Sequence, residues 1–357
     1  MTPEQKEKYS RQILFAPFGA EAQERLLAAS AVLVGCGALG TAQAGLLARA
    51  GIGRLRMIDR DFVEPSNLQR QTLFEESDAR EALPKAVAAQ RRLRGINSDV
   101  QVESVVADLT PRNAEELLRG FPVILDGTDN FETRFLLNDA AIHFGMPWVY
   151  GAVVASYGLT MTVLPGESAC LACLLESEEG QRITGGGFGG SEDTCDTVGV
   201  LGAAVGVIAS IQAAEAMKLL AGLRDALHGR LISFDVWSGR SQAVRVARNA
   251  DCRACARREF IYLQGEAQPH VTLCGRDSVQ IHERSRTLDL QELARRVAAT
   301  AANVRSNDFL LQFHVPPAAT GNGAGYDVTV FSDGRAVFKG TKDPAVARSL
   351  YARYVGS

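Results

Sequence analysis

The stretch that most constrains this 357-residue chain runs over residues 31–61. An apolar run at 31–34 has the length and composition of a buried parallel strand. Gly35, Gly37 and Gly40 follow at the spacing G-x-G-x-x-G. Glycines there let the chain turn sharply and let a ligand approach bare backbone amides. The alanine-rich segment after them reads as a helix whose amide end, carrying partial positive charge, faces any anion in the turn. A second strand at 54–58 delivers Asp59 nineteen positions after Gly40, where an acidic side chain meets a ribose hydroxyl in such units. Together these features make a nucleotide site. They do not say which nucleotide it takes, or for what chemistry.

The first thirty residues read as helical. After a polar loop at 61–74, Pro84 and Lys85 open another helix, and 100–109 reads as a strand. A helix at 113–120 leads into 121–130, a strand ending in Asp126 and Asp129. A helix at 131–145 and a buried strand at 147–156 follow. Strands alternating with helices of this length predict an α/β fold with a doubly wound, mostly parallel sheet. Ligands bind such sheets beyond the carboxyl ends of the strands, which points to residues 35–40, 59–71 and 126–130. Asp126 reads as a strand-end aspartate that caps the next helix.

From Tyr157 the pattern turns β-rich. A glycine-rich loop at 176–196 is expected to be mobile. Residues 198–222 are strongly apolar but carry Gln212, Glu215 and Lys218, so they read as a buried helix and not as a membrane span. Two strands follow, at 230–237 and 241–248. After Gly265 comes the pattern strand, helix, strand, hairpin, helix, with Asp333–Gly334 as the hairpin turn. The expected domains are 1–262, with a nucleotide-binding half at about 1–155 and a second half at 156–262, and a small α+β domain at 266–357.

The balance of 38 basic and 41 acidic residues gives no case for a nucleic-acid or membrane-surface partner. The N-terminal segment is too polar for a signal peptide, and a cytoplasmic protein is expected. Four of the seven cysteines form two C-x-x-C pairs, Cys170 with Cys173 and Cys252 with Cys255. In a reducing compartment metal ligation is the better reading of such pairs than disulfides.

Six motifs occur in one order: YSRQ at 9–12, GCGALG at 35–40, DRDFVEPSNLQRQ at 59–71, the pair Pro84 and Lys85, DGTDNFETR at 126–134, and the long run TCDTVGVLGAAVGVIASIQAAEAMKLLAG at 194–222. In that order they resemble the ThiF/MoeB/HesA adenylyltransferases, most of all ThiF. These activate sulfur-carrier proteins and are relatives of ubiquitin-activating enzymes. The resemblance covers roughly residues 8–258. It implies a Rossmann-like fold of the ubiquitin-activating type with a zinc-stapled second half. The implied reaction joins ATP to the C-terminal glycine carboxylate of a small ubiquitin-like carrier ending in Gly-Gly, giving an acyl-adenylate and pyrophosphate. By motif match Asp59 holds the ribose, Asn67, Arg70 and Lys85 contact the phosphates, and Asp129 positions Mg²⁺. Asp61 and Gln71 belong to the same loop. Arg11 enters from the second subunit of a homodimer. Four thiolates in two pairs satisfy tetrahedral Zn²⁺ with no open position, which makes that site structural.

Cys195 matches the cysteine that some members link covalently to the carrier; adenylation itself needs no thiol, so both readings stand. Cys36 fits the turn as a small residue, and Cys274 reads as a strand residue of the tail module. The tail does not resemble a rhodanese domain, so a separate sulfur donor, a desulfurase or a rhodanese, is expected. Thiamine, molybdopterin, cysteine and tRNA-thiolation pathways all remain open. Two other readings are a non-catalytic nucleotide-binding scaffold of the same fold and an NAD-dependent oxidoreductase. Three cations and a magnesium site around a glycine turn favour a triphosphate over a dinucleotide.

Overall fold

The structure, a computed structural model, describes residues 1–176, 198–266, 278–281, 288–316 and 325–356. The chain divides into two compact units, Met1–Gln268 and Pro269–Ser357.

Among the described residues the first unit is built on an eight-stranded sheet: β1 (Ser30–Val34), β2 (Arg54–Asp59), β3 (Gln101–Val106), β4 (Ile124–Asp126), β5 (Trp148–Val154), β6 (Tyr157–Val163), β7 (Leu231–Asp235) and β8 (Arg240–Val244). Their order is β3-β2-β1-β4-β5-β6-β7-β8, parallel from β3 to β5 and antiparallel beyond. Successive side chains of a strand point to opposite faces, and β1 shows the result. Val32 and Val34 pack with the helix Phe131–Phe144, while Ala31 and Leu33 pack with the helices Ala38–Ala50 and Lys85–Ile96. A strand buried on both faces must be apolar throughout, which is why β1 reads as a continuous run.

The strand order reverses between β1 and β4. A crevice opens at such a switch point, beyond the carboxyl ends of the two strands. The glycine turn follows β1 and residues 126–130 follow β4, so the fold itself brings these two segments together.

The helix Gly202–Leu220 is long and apolar enough to cross a membrane, yet half of it is buried inside the protein. Gln212 and Glu215 are fully buried on it, and Glu215 accepts from Thr162 Oγ1 and Lys218 Nζ. These partners make it a core helix, as expected.

The second unit carries an antiparallel sheet of β9 (Ser278–Ile281), β10 (Ala302–Ser306), β11 (Leu310–Val315), β12 (Tyr326–Phe331) and β13 (Ala336–Lys339), in the order β10-β11-β12-β13-β9. The helices Leu290–Val297 and Pro344–Tyr354 pack on it through Leu293, Val297, Leu350 and Tyr351. Strand β10 was not expected. The sequence pattern extends the preceding helix to 301, but the observed helix ends at Val297, and 302–306 instead pairs with β11.

One expectation is overturned at the end of β4. Asp126 does not cap the following helix. Asn130 does, with its side-chain oxygen accepting from Thr133 N at 2.8 Å. Asp126 is fully buried, and its Oδ1 accepts from Thr128 N at 2.9 Å and Thr128 Oγ1 at 2.7 Å.

Candidate functional site

The glycine turn is fixed by two backbone bonds, Gly35 N to Ile58 O and Gly127 N to Val34 O, both 2.8 Å. Three glycines interlock. A Cβ on Gly40 would lie 1.9 Å from Gly35 O, one on Gly127 2.3 Å from the same oxygen, and one on Gly35 2.5 Å from Gly127 O. Gly35 also holds φ +91°, which glycine alone adopts without strain. Gly127 escaped the sequence reading, although its signal lay in the D-G dipeptide after β4. Gly37 differs. A Cβ there would meet nothing closer than Gly127 O at 3.6 Å, so its smallness leaves open space. It is the N-cap of the helix Ala38–Ala50 and supplies no side-chain bond. The first-turn amides therefore stay available to an anion.

Asp59, at the end of β2, is moored to this turn. Its Oδ2 accepts from Cys36 N at 2.6 Å and its Oδ1 from Asp61 N at 2.7 Å. Loss of water around the carboxyl disfavours its charge and pushes its pKa up to about 6, with Lys85 opposing the shift and Asp61 adding to it.

The loop after β2 pairs briefly with the approach to the helix Lys85–Ile96, through Val63 N to Leu83 O and Lys85 N to Asp61 O, both 2.8 Å. That pairing drives Lys85 into the interior beside the turn, with Nζ 3.1 Å from Asp61 Oδ2. Burial disfavours the ammonium, but Asp61, Asp59 and Asp129 together outweigh it and raise its pKa above the ordinary lysine value. Arg60 belongs to the same network and was missed. Burial opposes its charge; Asp108 at 3.0 Å, Asp61 at 3.8 Å and Asp129 restore it. Its only sequence signal was its place between two aspartates.

Asn67 ends a short 3₁₀ turn. Its Oδ1 accepts from Glu64 N at 3.0 Å, and its buried Nδ2 has no hydrogen-bond partner. Gln71 is buried too, and its Oε1 is likewise unpartnered. Buried polar atoms left over on a loop beside a glycine turn with open amides fit a bound ligand that completes them. Arg70 is half-buried and donates from Nη1 to Ser66 O at 2.8 Å. Asp129 is exposed, close enough to Lys85 and Arg60 to raise both.

The fold thus gathers Gly35, Gly37, Gly40, Asp59, Asp61, Lys85 and Asp129 at one crevice, with Asn67, Arg70 and Gln71 on the loop beside it. Arg11 is not among them. It is exposed on the helix Ser10–Ile13, whose Gln12 donates to Ala50 O at 3.1 Å. Ala50 ends the thirteen-residue helix that starts at the glycine turn, about 20 Å from it at 1.5 Å per residue. That exceeds the reach of an arginine side chain. Cys195 and Cys274 lie outside the described residues.

Away from the crevice, Cys170, Cys173, Cys252 and Cys255 are all buried, with their sulfurs within 4.8 Å of one another. Cys170 Sγ is 3.6 Å from Cys252 Sγ, and Cys173 Sγ is 3.4 Å from Cys255 Sγ. Zinc–sulfur bonds of about 2.3 Å in a tetrahedron require sulfurs about 3.8 Å apart, so the cluster has the right size and donor set. Hydrogen bonding from Cys170 holds Cys173 and Cys255 down to about 6 and Cys252 to about 7, while Cys170 itself is raised by the same neighbours, Cys173 first. Thiolate is the form that a metal binds. One helix holds both knuckles. Asn138 Oδ1 accepts from Leu171 N at 2.8 Å, and the adjacent Asp139 pairs with Arg253 at 3.2 Å and accepts from Tyr262 N at 3.0 Å.

A profile of the ThiF family matches residues 9–254. The chain belongs to the ThiF family. It is 43% identical over 353 residues to the sulfur carrier protein ThiS adenylyltransferase of Bacillus subtilis, an alignment covering 98% of this chain and 99% of that one. It is 40% identical over 252 residues to the SAMP-activating enzyme E1 of Haloferax volcanii, covering 70% and 89%. The crystal structure of Escherichia coli MccB with ATP superposes with a TM-score of 0.59 at 22% identity, over 71% of this chain and 76% of that one, a likeness of fold. This ThiF-family chain and its B. subtilis relative align through both compact units.

Proposed function

We propose that this chain is an adenylyltransferase that activates a small ubiquitin-like sulfur-carrier protein. The carrier's C-terminal glycine carboxylate attacks the α-phosphorus of ATP, forming the acyl–phosphate bond as pyrophosphate leaves. Thiocarboxylate formation follows with a separate sulfur donor, of desulfurase or rhodanese type. The observation that carries this reading is the match over 98% of the chain to a ThiS adenylyltransferase; a thiamine-type carrier ending in Gly-Gly is therefore the first substrate to test.

In this reading the open amides after Gly37 and the cations Arg70 and Lys85 carry the triphosphate charge, and Asp59 accepts from the ribose hydroxyls. Asn67 Nδ2 and Gln71 Oε1 find partners on the bound nucleotide. Asp61 holds Lys85 in place, and Asp129 ligates Mg²⁺, which supplies charge neutralisation when bound. Arg11 reaches the site from the partner copy of a homodimer, because its own crevice is too far away. The four cysteines hold a structural Zn²⁺ in the reducing cytoplasm. Cys195 is assigned no step in adenylation.

The test is ATP–pyrophosphate exchange with and without a Gly-Gly-ended carrier. Exchange is expected only with the carrier and is expected to be lost in the double variant Arg70→Ala/Asp129→Ala. Exchange that survives in that variant overturns the residue roles. No exchange with any ubiquitin-like carrier, together with nicotinamide binding, returns the chain to the oxidoreductases.

A further inference from the structure

Residues 126–128 hang from three helices by side chains that neither the turn nor the phosphate loop uses. Gln43, on the helix Ala38–Ala50, donates from Nε2 to Asp126 O at 2.8 Å. Gln212, on the helix Gly202–Leu220, donates to the same oxygen at 3.0 Å and to Val149 O at 3.3 Å. Arg134, on the helix Phe131–Phe144, donates from Nη2 to Thr128 O at 2.7 Å and to Gly151 O at 3.3 Å, with Nε 3.8 Å from the Asp126 carboxylate. Gln43, Gln212 and Asp126 are fully buried and Arg134 is nearly so.

A strand-end carbonyl needs one donor to satisfy burial, and a carbonyl oxygen has two lone pairs. Here both are taken, by amides arriving from two different helices. Two donors on one oxygen fix the orientation of the peptide plane, where one would fix only its position. The space around them leaves no slack. A Cβ on Gly151 would lie 2.4 Å from the Gln212 amide, and one on Gly127 2.3 Å from Gly35 O. The clamp ends abruptly. Asp129, three residues beyond Asp126, is exposed and lies near enough to Lys85 and Arg60 for its charge to act on both. The other two helices also touch the site. Ala38–Ala50 begins at the glycine turn, and a Cβ on Gly202, at the start of Gly202–Leu220, would lie 3.2 Å from Gln69 O, next to Arg70.

We propose that Gln43 and Gln212 are positioning residues for the magnesium aspartate: their shared bond to Asp126 O sets the direction in which Asp129 leaves the sheet. This rests on the reading of Asp129 as the Mg²⁺ ligand. Outer-shell partners orient a metal ligand, and their loss lowers affinity for the metal about 10–100-fold.

The experiment measures ATP binding to the full-length protein by calorimetry, with and without Mg²⁺, and the Mg²⁺ dependence of exchange. Gln43→Met/Gln212→Met is expected to raise the half-saturating Mg²⁺ concentration about tenfold, as loss of an outer-shell partner does. Mg²⁺-free ATP affinity should stay within about twofold of wild type. Where the pair fails to fold, Gln212→Met alone, which leaves Gln43 on the oxygen, should shift the Mg²⁺ requirement in the same direction by a smaller factor. The decisive arm adds Asp129→Ala. If the glutamines act through Asp129, they produce no further Mg²⁺ effect in that background. A multiplicative loss there, or an equal fall in Mg²⁺-free ATP affinity, overturns the proposal and makes the glutamines merely structural. If Asp129→Ala alone leaves the Mg²⁺ dependence untouched, the assignment of Asp129 falls first and the clamp's purpose with it.

Discussion

Gly37 and Gly40 stand three residues apart in one turn and do opposite things. Gly40 packs, with the Gly35 carbonyl where its Cβ would be, and Gly40→Ala should cost more than about 2 kcal/mol by overpacking. Gly37 leaves space. Gly37→Ala should cost under about 1 kcal/mol, as helix N-cap changes do, yet weaken ATP binding by covering the open amides. Urea unfolding beside nucleotide titration separates the two; equal losses of stability would refute the distinction. Asp59 gives a pH-dependent prediction. Its folded carboxyl titrates near 6, above the ordinary value of about 3.9. A raised acid stabilises the fold fully below the unfolded value and loses that contribution as pH rises through about 6. Binding has the opposite sign, because ribose hydroxyls donate best to the ionised carboxylate. Adenosine affinity should therefore climb as pH passes about 6 and then level off, and Asp59→Asn should flatten the profile. Adenosine is the probe because it has no phosphate titrating in the same range.

The helix Phe131–Phe144 is the element that ties the site to the cysteines. Its N-terminus is capped by Asn130, next to Asp129, and its middle holds both knuckles through Asn138 and Asp139. Asp139→Ala would take its buried partner from the Arg253 guanidinium, 10% exposed, and leave it Glu176 at 3.3 Å and the Glu259 carbonyl, so the loss should fall below the about 3–5 kcal/mol of a fully stranded buried charge. Zinc release to a competing chelator should accelerate in the same variant; unchanged release with lowered stability would separate the helix from the metal. Little of this was legible in the sequence. The strand–turn–helix unit was, because glycine spacing, an apolar run and a trailing acid are local signals. So were the cysteine pairs, since C-x-x-C marks itself. Arg60 and Gly127 were not, because their roles come from packing between segments far apart in the chain. Asp126 was misread for the same reason: a helix cap is a local inference, and burial under Gln43, Gln212 and Arg134 is decided by three helices at once. The strand Ala302–Ser306 lacked strand composition, and its pairing with Leu310–Val315 came from the hairpin it closes.

The surface around Arg11 bears on what completes the crevice. Arg11 sits at the far end of the helix Ala38–Ala50, and the two residues after the short helix that bears it, Leu14 and Phe15, are 71% and 62% exposed. Large apolar side chains left in water beside Arg11 are what an interface between copies would cover. A two-fold dimer repeats the same contact in both directions, so each copy can lend its Arg11 to the other. This predicts complementation between dead variants. On the proposed roles, Arg11→Ala lacks the lent arginine and Asp129→Ala lacks the magnesium ligand, so each homodimer should be inactive in carrier-dependent exchange. Mixed under conditions that let subunits exchange, half the dimers become heterodimers, and each of those contains one crevice with its own Asp129 and an intact Arg11 from its partner. The expected recovery is roughly a quarter of wild-type exchange. Recovery of nothing, with heterodimers verified by differential tagging, would mean that Arg11 serves its own chain. Activity in Arg11→Ala alone would remove the residue from the site altogether.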